Sequence, residues 1–119
     1  MKNVKHSLLA LAVTLSISMG SHSANLSGSD FQTFCAVETD SIDYGICLGF
    51  VRGLHMTHEI YGAISKNYKV FCLPPNVSTT QMVKIISKYL ENHPENLHLE
   101  AASTAFVALK KVFPCEDGQ

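Results

Sequence analysis

Hydrophobic positions in this chain recur at helical spacing, and no stretch sustains the alternation of a half-buried strand. A short first helix is expected over Ser27 to Val37, capped among Ser27 to Asp30, with Phe31, Phe34 and Cys35 on one side. The polar turn Glu38 to Ser41 ends it. A second helix from about Ser41 to Ser65 sets Cys47, Phe50, Val51, Leu54, Tyr61 and Ile64 on one stripe. Pro74 and Pro75 then exclude a regular helix between Lys66 and Val77. Ser78-Thr-Thr-Gln81 reads as a capping box, with Val77 placed to staple Met82. The helix it opens would bury Met82, Ile85, Ile86, Tyr89 and Leu90, and Pro94 stops it near His93. A fourth helix carries Leu99, Ala102, Ala105, Phe106, Leu109 and Phe113 and ends at Pro114. The fold predicted is all-α, a small four-helix bundle.

One stripe breaks the propensity rules. Gly45, Gly49 and Gly53 lie four residues apart inside the second helix, where each costs about 1 kcal/mol relative to alanine. Removing side chains from one face lets another helix approach closely, which can offset that cost. Packing within the chain is the favoured use by about two to one, with self-association as the other. A membrane dimer motif is excluded by Arg52 and by the lack of a long apolar run.

The N-terminus reads as a signal peptide over 1–23. Lys2, Lys5 and His6 precede the apolar Leu8 to Met19, and Ser21 and Ser23 satisfy the small-x-small cleavage rule. Cutting after Ala24 would put His22 at the first small position, so cleavage after Ser23 is preferred. The apolar run is too short to span a bilayer, which needs about 20 residues. The mature chain, 24–119, is one small domain, which can bury only about two thirds of its unfolded surface. No membrane association is expected after cleavage.

Loss of Lys2 and Lys5 leaves seven basic against ten acidic residues, a net charge of −3. Arg52 is then the only arginine and the six lysines look scattered, which argues against a nucleic-acid partner. Cys35, Cys47, Cys72 and Cys115 all fall in the mature part. An even count in a short exported chain reads as two disulfides, and the absence of C-x-x-C spacing ranks metal or haem far lower. A short link makes the third and fourth helices antiparallel neighbours, bringing Cys72 and Cys115 together. Cys47 to Cys72 would span about 30 Å along a helix, beyond the ~7 Å Cα limit of a disulfide. Cys35–Cys47 and Cys72–Cys115 are therefore the expected pairs.

Candidate chemistry is sparse. His55 and His58 share a helix face at i, i+3 beside Glu59, yet two nitrogens without a third ligand fit solvated or partly buried histidines several times better than a metal site. Asp40 and Asp43 fit a turn and the first turn of a helix. No nucleophile elbow or phosphate loop occurs. The reading is a non-enzyme without cofactors or metal.

Four segments in order, Cys47 to Gly53 (CLGFVRG), Phe71 to Gln81 (FCLPPNVSTTQ), Lys88 to Ala102 (KYLENHPENLHLEAA) and Ala108 to Cys115 (ALKKVFPC), make the chain resemble the Tai/Rap family of periplasmic immunity proteins that accompany type VI secretion amidase toxins. The resemblance implies a helical, often homodimeric protein that binds a papain-like peptidoglycan amidase in the periplasm and occludes its cleft. It places the blocking element at His93 to Leu97, with His93, Glu95, Asn96 and Leu97 as the partner-binding residues. Glu91, Glu95 and Glu100 around that loop would steer a positively charged partner. The alternatives are a periplasmic acid-stress chaperone, which lacks here the expected long charged tails, or another non-catalytic helical binding protein.

Overall fold

In the computed structural model, residues 25–116 are described; the signal-peptide reading of 1–23 falls outside them. The elements run α1 (Gly28–Cys35), α2 (Ile42–Ile64), a 3₁₀ turn (Lys66–Tyr68), α3 (Thr79–Asn92), a second 3₁₀ turn (Pro94–Asn96) and α4 (Ala101–Val112). Among the described residues the only extended pairing is an isolated bridge between Ser27 and Glu100. The chain is the four-helix, all-α protein that its periodicity predicts.

Serines start three of the helices. Ser27, Ser41 and Ser78 each accept a hydrogen bond from the backbone N–H three residues on, satisfying a donor left unpaired by the first turn. The full reciprocal capping box forms at Ser27 and Asp30, where Asp30 returns a bond to the Ser27 backbone N–H at 2.9 Å. At Ser78, where the sequence placed that box, only the serine half forms. An aspartate reaches back across one turn as a glutamate or glutamine would, so Ser27 and Asp30 make the reciprocal pair. Asn76 takes φ 73° in the turn that leads from Pro75 into α3, a left-handed conformation asparagine tolerates.

The core is assembled from Phe31 of α1, Cys47 and Val51 of α2, Phe71 of the connecting segment, Met82, Ile86 and Leu90 of α3, and Ala101, Ala105 and Leu109 of α4. Helices α3 and α4 pack together, as do α1 and α2, and α1 also touches both α3 and α4. The C-terminal half of α2 departs from expectation: Tyr61 and Ile64 are exposed, not buried. Past Val51 the fully buried position of α2 is His58, with Leu54 half-buried against the core between them. Leu99 is likewise exposed and precedes α4, because the second 3₁₀ turn delays the helix to Ala101.

Both expected disulfides are present, Cys35–Cys47 with Cα atoms 5.3 Å apart and Cys72–Cys115 at 4.9 Å. The first joins α1 to the second turn of α2. The second ties the extended segment after Tyr68 to the end of α4, and a Cys72 N–H bond to the Phe113 carbonyl at 2.9 Å runs alongside it.

Candidate functional site

The link between α3 and α4 is a supported turn. Pro94 cannot continue α3, so the chain closes into Pro94–Asn96, with Asn96 N–H bonded to the His93 carbonyl at 2.9 Å and Leu99 N–H to the Asn96 carbonyl at 3.0 Å. The N-terminus of α1 then buttresses it from behind. Gly28 and Ser29 N–H groups donate to the carbonyls of Leu99 and Leu97, both at 2.9 Å. These N–H groups lie in the first turn of α1, where no intrahelical acceptor exists. A Cβ at Gly28 would sit 2.8 Å from Leu90 Cδ2 and 3.3 Å from both the Asn96 carbonyl oxygen and Leu97 Cα, so the close approach requires glycine.

The four residues chosen from sequence divide by direction. His93 and Glu95 meet at the outer side, with His93 Nδ1 and Glu95 Oε1 3.0 Å apart. A hydrogen bond to its own backbone N–H, and then the His93 contact, hold the Glu95 carboxyl below its ordinary range. Asn96 and Leu97 face inward. Asn96 Nδ2 donates to the Tyr89 hydroxyl at 3.2 Å, and Leu97 packs half-buried against the core. The exposed surface of the turn is Pro94 and Glu95, with His98 just beyond. Pro94, within the expected blocking element but not among the four chosen side chains, is thus a surface residue of the turn.

Tyr89 organises the neighbourhood. The His93 ring lies against it with centroids 4.3 Å apart, and Lys111 Nζ sits 4.8 Å above its centroid. Beside it a groove of about 550 Å³ runs between α3 and α4, with Ile85, Tyr89, Ala108 and Val112 among its lining residues and Lys84, Lys88 and Lys111 at its edge. The lysines that looked scattered along the chain converge here, because Lys84 and Lys88 are one turn apart on α3 and Lys111 projects from the antiparallel α4. Glu95 and Glu91 therefore stand beside positive charge, and Glu100 lies elsewhere, accepting from Asn25 Nδ2. The turn does not present a simple acidic surface.

His55 and His58 both reach Glu59 Oε1, at 3.8 and 3.4 Å, but differ in burial, His55 being partly exposed. His58 is buried, stacked on Phe71 with centroids 3.8 Å apart, and its Nε2 accepts from the backbone N–H groups of Val70 and Phe71 at 3.0 and 3.4 Å. Its Nδ1 lies 3.4 Å from Glu59 Oε1. This places the neutral ring's proton on Nδ1, and burial, only partly opposed by Glu59, pushes the imidazole pKa down. His58 thereby serves as a hydrogen-bonding post for the strand-like segment before Cys72.

Among the described residues the glycine stripe packs against nothing: no atom of another element lies within 4 Å of where a Cβ would stand on Gly45, Gly49 or Gly53. The favoured in-chain use is therefore overturned: α1 and α3 cover the opposite side of α2, around Cys47 and Val51.

No curated protein and no solved structure matches this chain significantly. Residues 27–115, from the cap of α1 to the second disulfide, match the family model described as Rap1a immunity proteins, and the chain belongs to that family.

Proposed function

We propose that this protein is an exported immunity protein that binds a peptidoglycan amidase delivered by type VI secretion and blocks its active-site cleft with the turn between α3 and α4. The family match over nearly the whole described chain carries the immunity reading. Two disulfides suit an oxidising compartment such as the periplasm, and no helix among the described residues is long and apolar enough to cross a membrane. The amidase as target, and a homodimer as the working unit, rest on the resemblance of the quoted segments.

The turn suits an occluding role on physical grounds. Its tip, Pro94 and Glu95, is exposed, while its base is bonded to α1 and anchored by Leu97 and Asn96. A preformed turn loses little conformational freedom on docking. The function itself needs only shape and contacts, in keeping with a non-enzymatic family.

The test is to express an amidase effector taken from a neighbouring gene in the periplasm, with and without this protein. Prevention of lysis and co-purification are expected. Pro94→Gly combined with Glu95→Lys should weaken binding at least about tenfold, the scale of one interface hot spot, while costing no more than about 1 kcal/mol of stability. Lysis despite correctly oxidised protein would overturn the immunity reading. Full protection by the double variant would overturn only the role of the turn. The exposed apolar face of α2 is the feature that favours the chaperone alternative, and suppression of client aggregation at acidic pH without any effector complex would support it.

A further inference from the structure

The groove between α3 and α4 joins an apolar floor to a basic rim. Ile85 and Tyr89 of α3 and Ala108 and Val112 of α4 form the floor, and the space of about 550 Å³ falls in the range of sites that hold a ligand. Ala108 is buried, and its single methyl leaves the space between the α3 row and Val112 unfilled. Val112 itself is 51 % exposed. Gln81 and Asn92 mark the two ends, about 16 Å apart along α3, which is three turns of helix.

The rim runs against the charge of the rest of the chain. Ten acidic residues face seven basic ones in the mature sequence, yet three of the seven meet at this groove and no acidic residue lines it. Lys84 and Lys88 stand one turn apart on the α3 bank, and Lys111 rises from the α4 bank with its Nζ 4.8 Å from the Tyr89 centroid. Lys84 and Lys111 make no ion pair among the described residues, and Lys88 reaches only Glu91, at 3.7 Å with both side chains exposed. Such a pair holds its partners weakly, so all three ammonium groups are available to a ligand.

We propose that this groove docks an acidic amphipathic helix of a protein partner, with its apolar stripe on Ile85, Tyr89 and Val112 and its Asp or Glu side chains on the two flanks against Lys84, Lys88 and Lys111. Apolar anchors at i, i+4 and i+7 laid into a groove are a recurring mode of recognition. Carboxylates one turn apart on one flank match Lys84 and Lys88, and a carboxylate on the other flank matches Lys111. A fatty carboxylate carries a single charged head and meets one bank only. The floor is also preformed. The Tyr89 hydroxyl accepts from Asn96 Nδ2 at 3.2 Å, which fixes the ring and reduces the ordering cost of docking. The inference goes beyond occlusion of a cleft by the turn, and its test needs no effector.

The probe is a fluorescein-labelled helical peptide with leucine at i, i+4, i+7 and i+11, glutamate on both flanks and alanine elsewhere. Its anisotropy is followed as the processed, oxidised protein is added at low salt. Saturable binding is expected, weakened at least about tenfold by Lys84→Gln, Lys88→Gln and Lys111→Gln together and by Val112→Glu, each with an unchanged circular dichroism spectrum. Lys66→Gln, in the first 3₁₀ turn, should leave the affinity unchanged. A counterpart peptide with lysine for glutamate should bind at least about tenfold more weakly, and high salt should narrow that gap. No binding up to about 1 mM, the scale of the weakest specific contacts, overturns the inference, as does equal affinity for the two peptides or for the triple lysine variant. Sodium dodecanoate is the last arm. If, below its micelle-forming concentration, it shifts the Tyr89 and Val112 amide resonances while the acidic peptide does not, the groove takes a single-headed amphiphile and the helix is overturned.

Discussion

Replacing His58 by phenylalanine separates what this residue does by packing from what it does by accepting hydrogen bonds. Phenylalanine preserves an aromatic ring against Phe71 and Phe106, which His58 contacts at centroid distances of 3.8 and 5.7 Å. It removes the acceptor of the Val70 and Phe71 N–H groups. Each N–H left unpaired in a buried setting costs about 1–3 kcal/mol. Phe71 is fully buried and the Val70 bond only partly so, which sets the expected loss at about 2–4 kcal/mol in urea unfolding monitored by circular dichroism. Protonating Nε2 in the wild type removes the same acceptor. Since burial lowers the folded-state pKa below the ordinary histidine value, the unfolded chain binds the proton first. The stabilisation is thus complete above about pH 6.5 and falls as the pH drops from there towards the folded-state pKa. The groups facing the ring, Glu59, His55 and Lys69, are the same in both proteins, so the difference between wild type and His58→Phe isolates this residue. That difference should shrink between pH 6.5 and 5. A variant as stable as wild type at pH 7.5, or a difference that stays constant on acidification, would refute the account of His58 as a neutral acceptor.

Two further perturbations follow from the packing. Gly28→Ala should lower the melting temperature by roughly 5–20 °C in a domain of this size, since the new methyl meets the buried Leu90 and the backbone of Asn96 and Leu97 at an overpacking cost of about 1–3 kcal/mol; calorimetry showing no loss would mean the turn can shift freely. Opening the 43-residue loop with Cys72→Ser and Cys115→Ser should cost about 4 kcal/mol, and opening the 12-residue loop with Cys35→Ser and Cys47→Ser about 3 kcal/mol, a ranking that chemical denaturation checks and that the reverse order would refute.

What was legible in the sequence, and what was not, divides by the range of the interactions. Helix starts at Ser27, Ser41 and Ser78 depend on a hydroxyl three residues from an orphan N–H, so they could be read locally. The breaks at Pro74 and Pro94 follow from proline's own ring. The disulfide pairing was also accessible, because helix lengths and one short link restrict which cysteines can meet. The inward and outward halves of the 93–97 turn were not, since they depend on α1 docking its first N–H groups against the carbonyls of Leu97 and Leu99. No pattern within the turn specifies that contact.

The sequence by itself determined the helices, their caps and their covalent staples, each governed by groups within a few residues or by chain length. Only the tertiary structure decided how far along α2 the core face runs. The side of Cys47, Val51 and Leu54 read from periodicity faces the core, where α1 is tied to it, but beyond it His58 stacks on Phe71 and Tyr61 and Ile64 are left exposed. The packing of α3 against α4 gathered Lys84, Lys88 and Lys111 at one groove, and the glycine stripe was left uncovered. A single chain of this size has too few helices to cover both sides of its longest one.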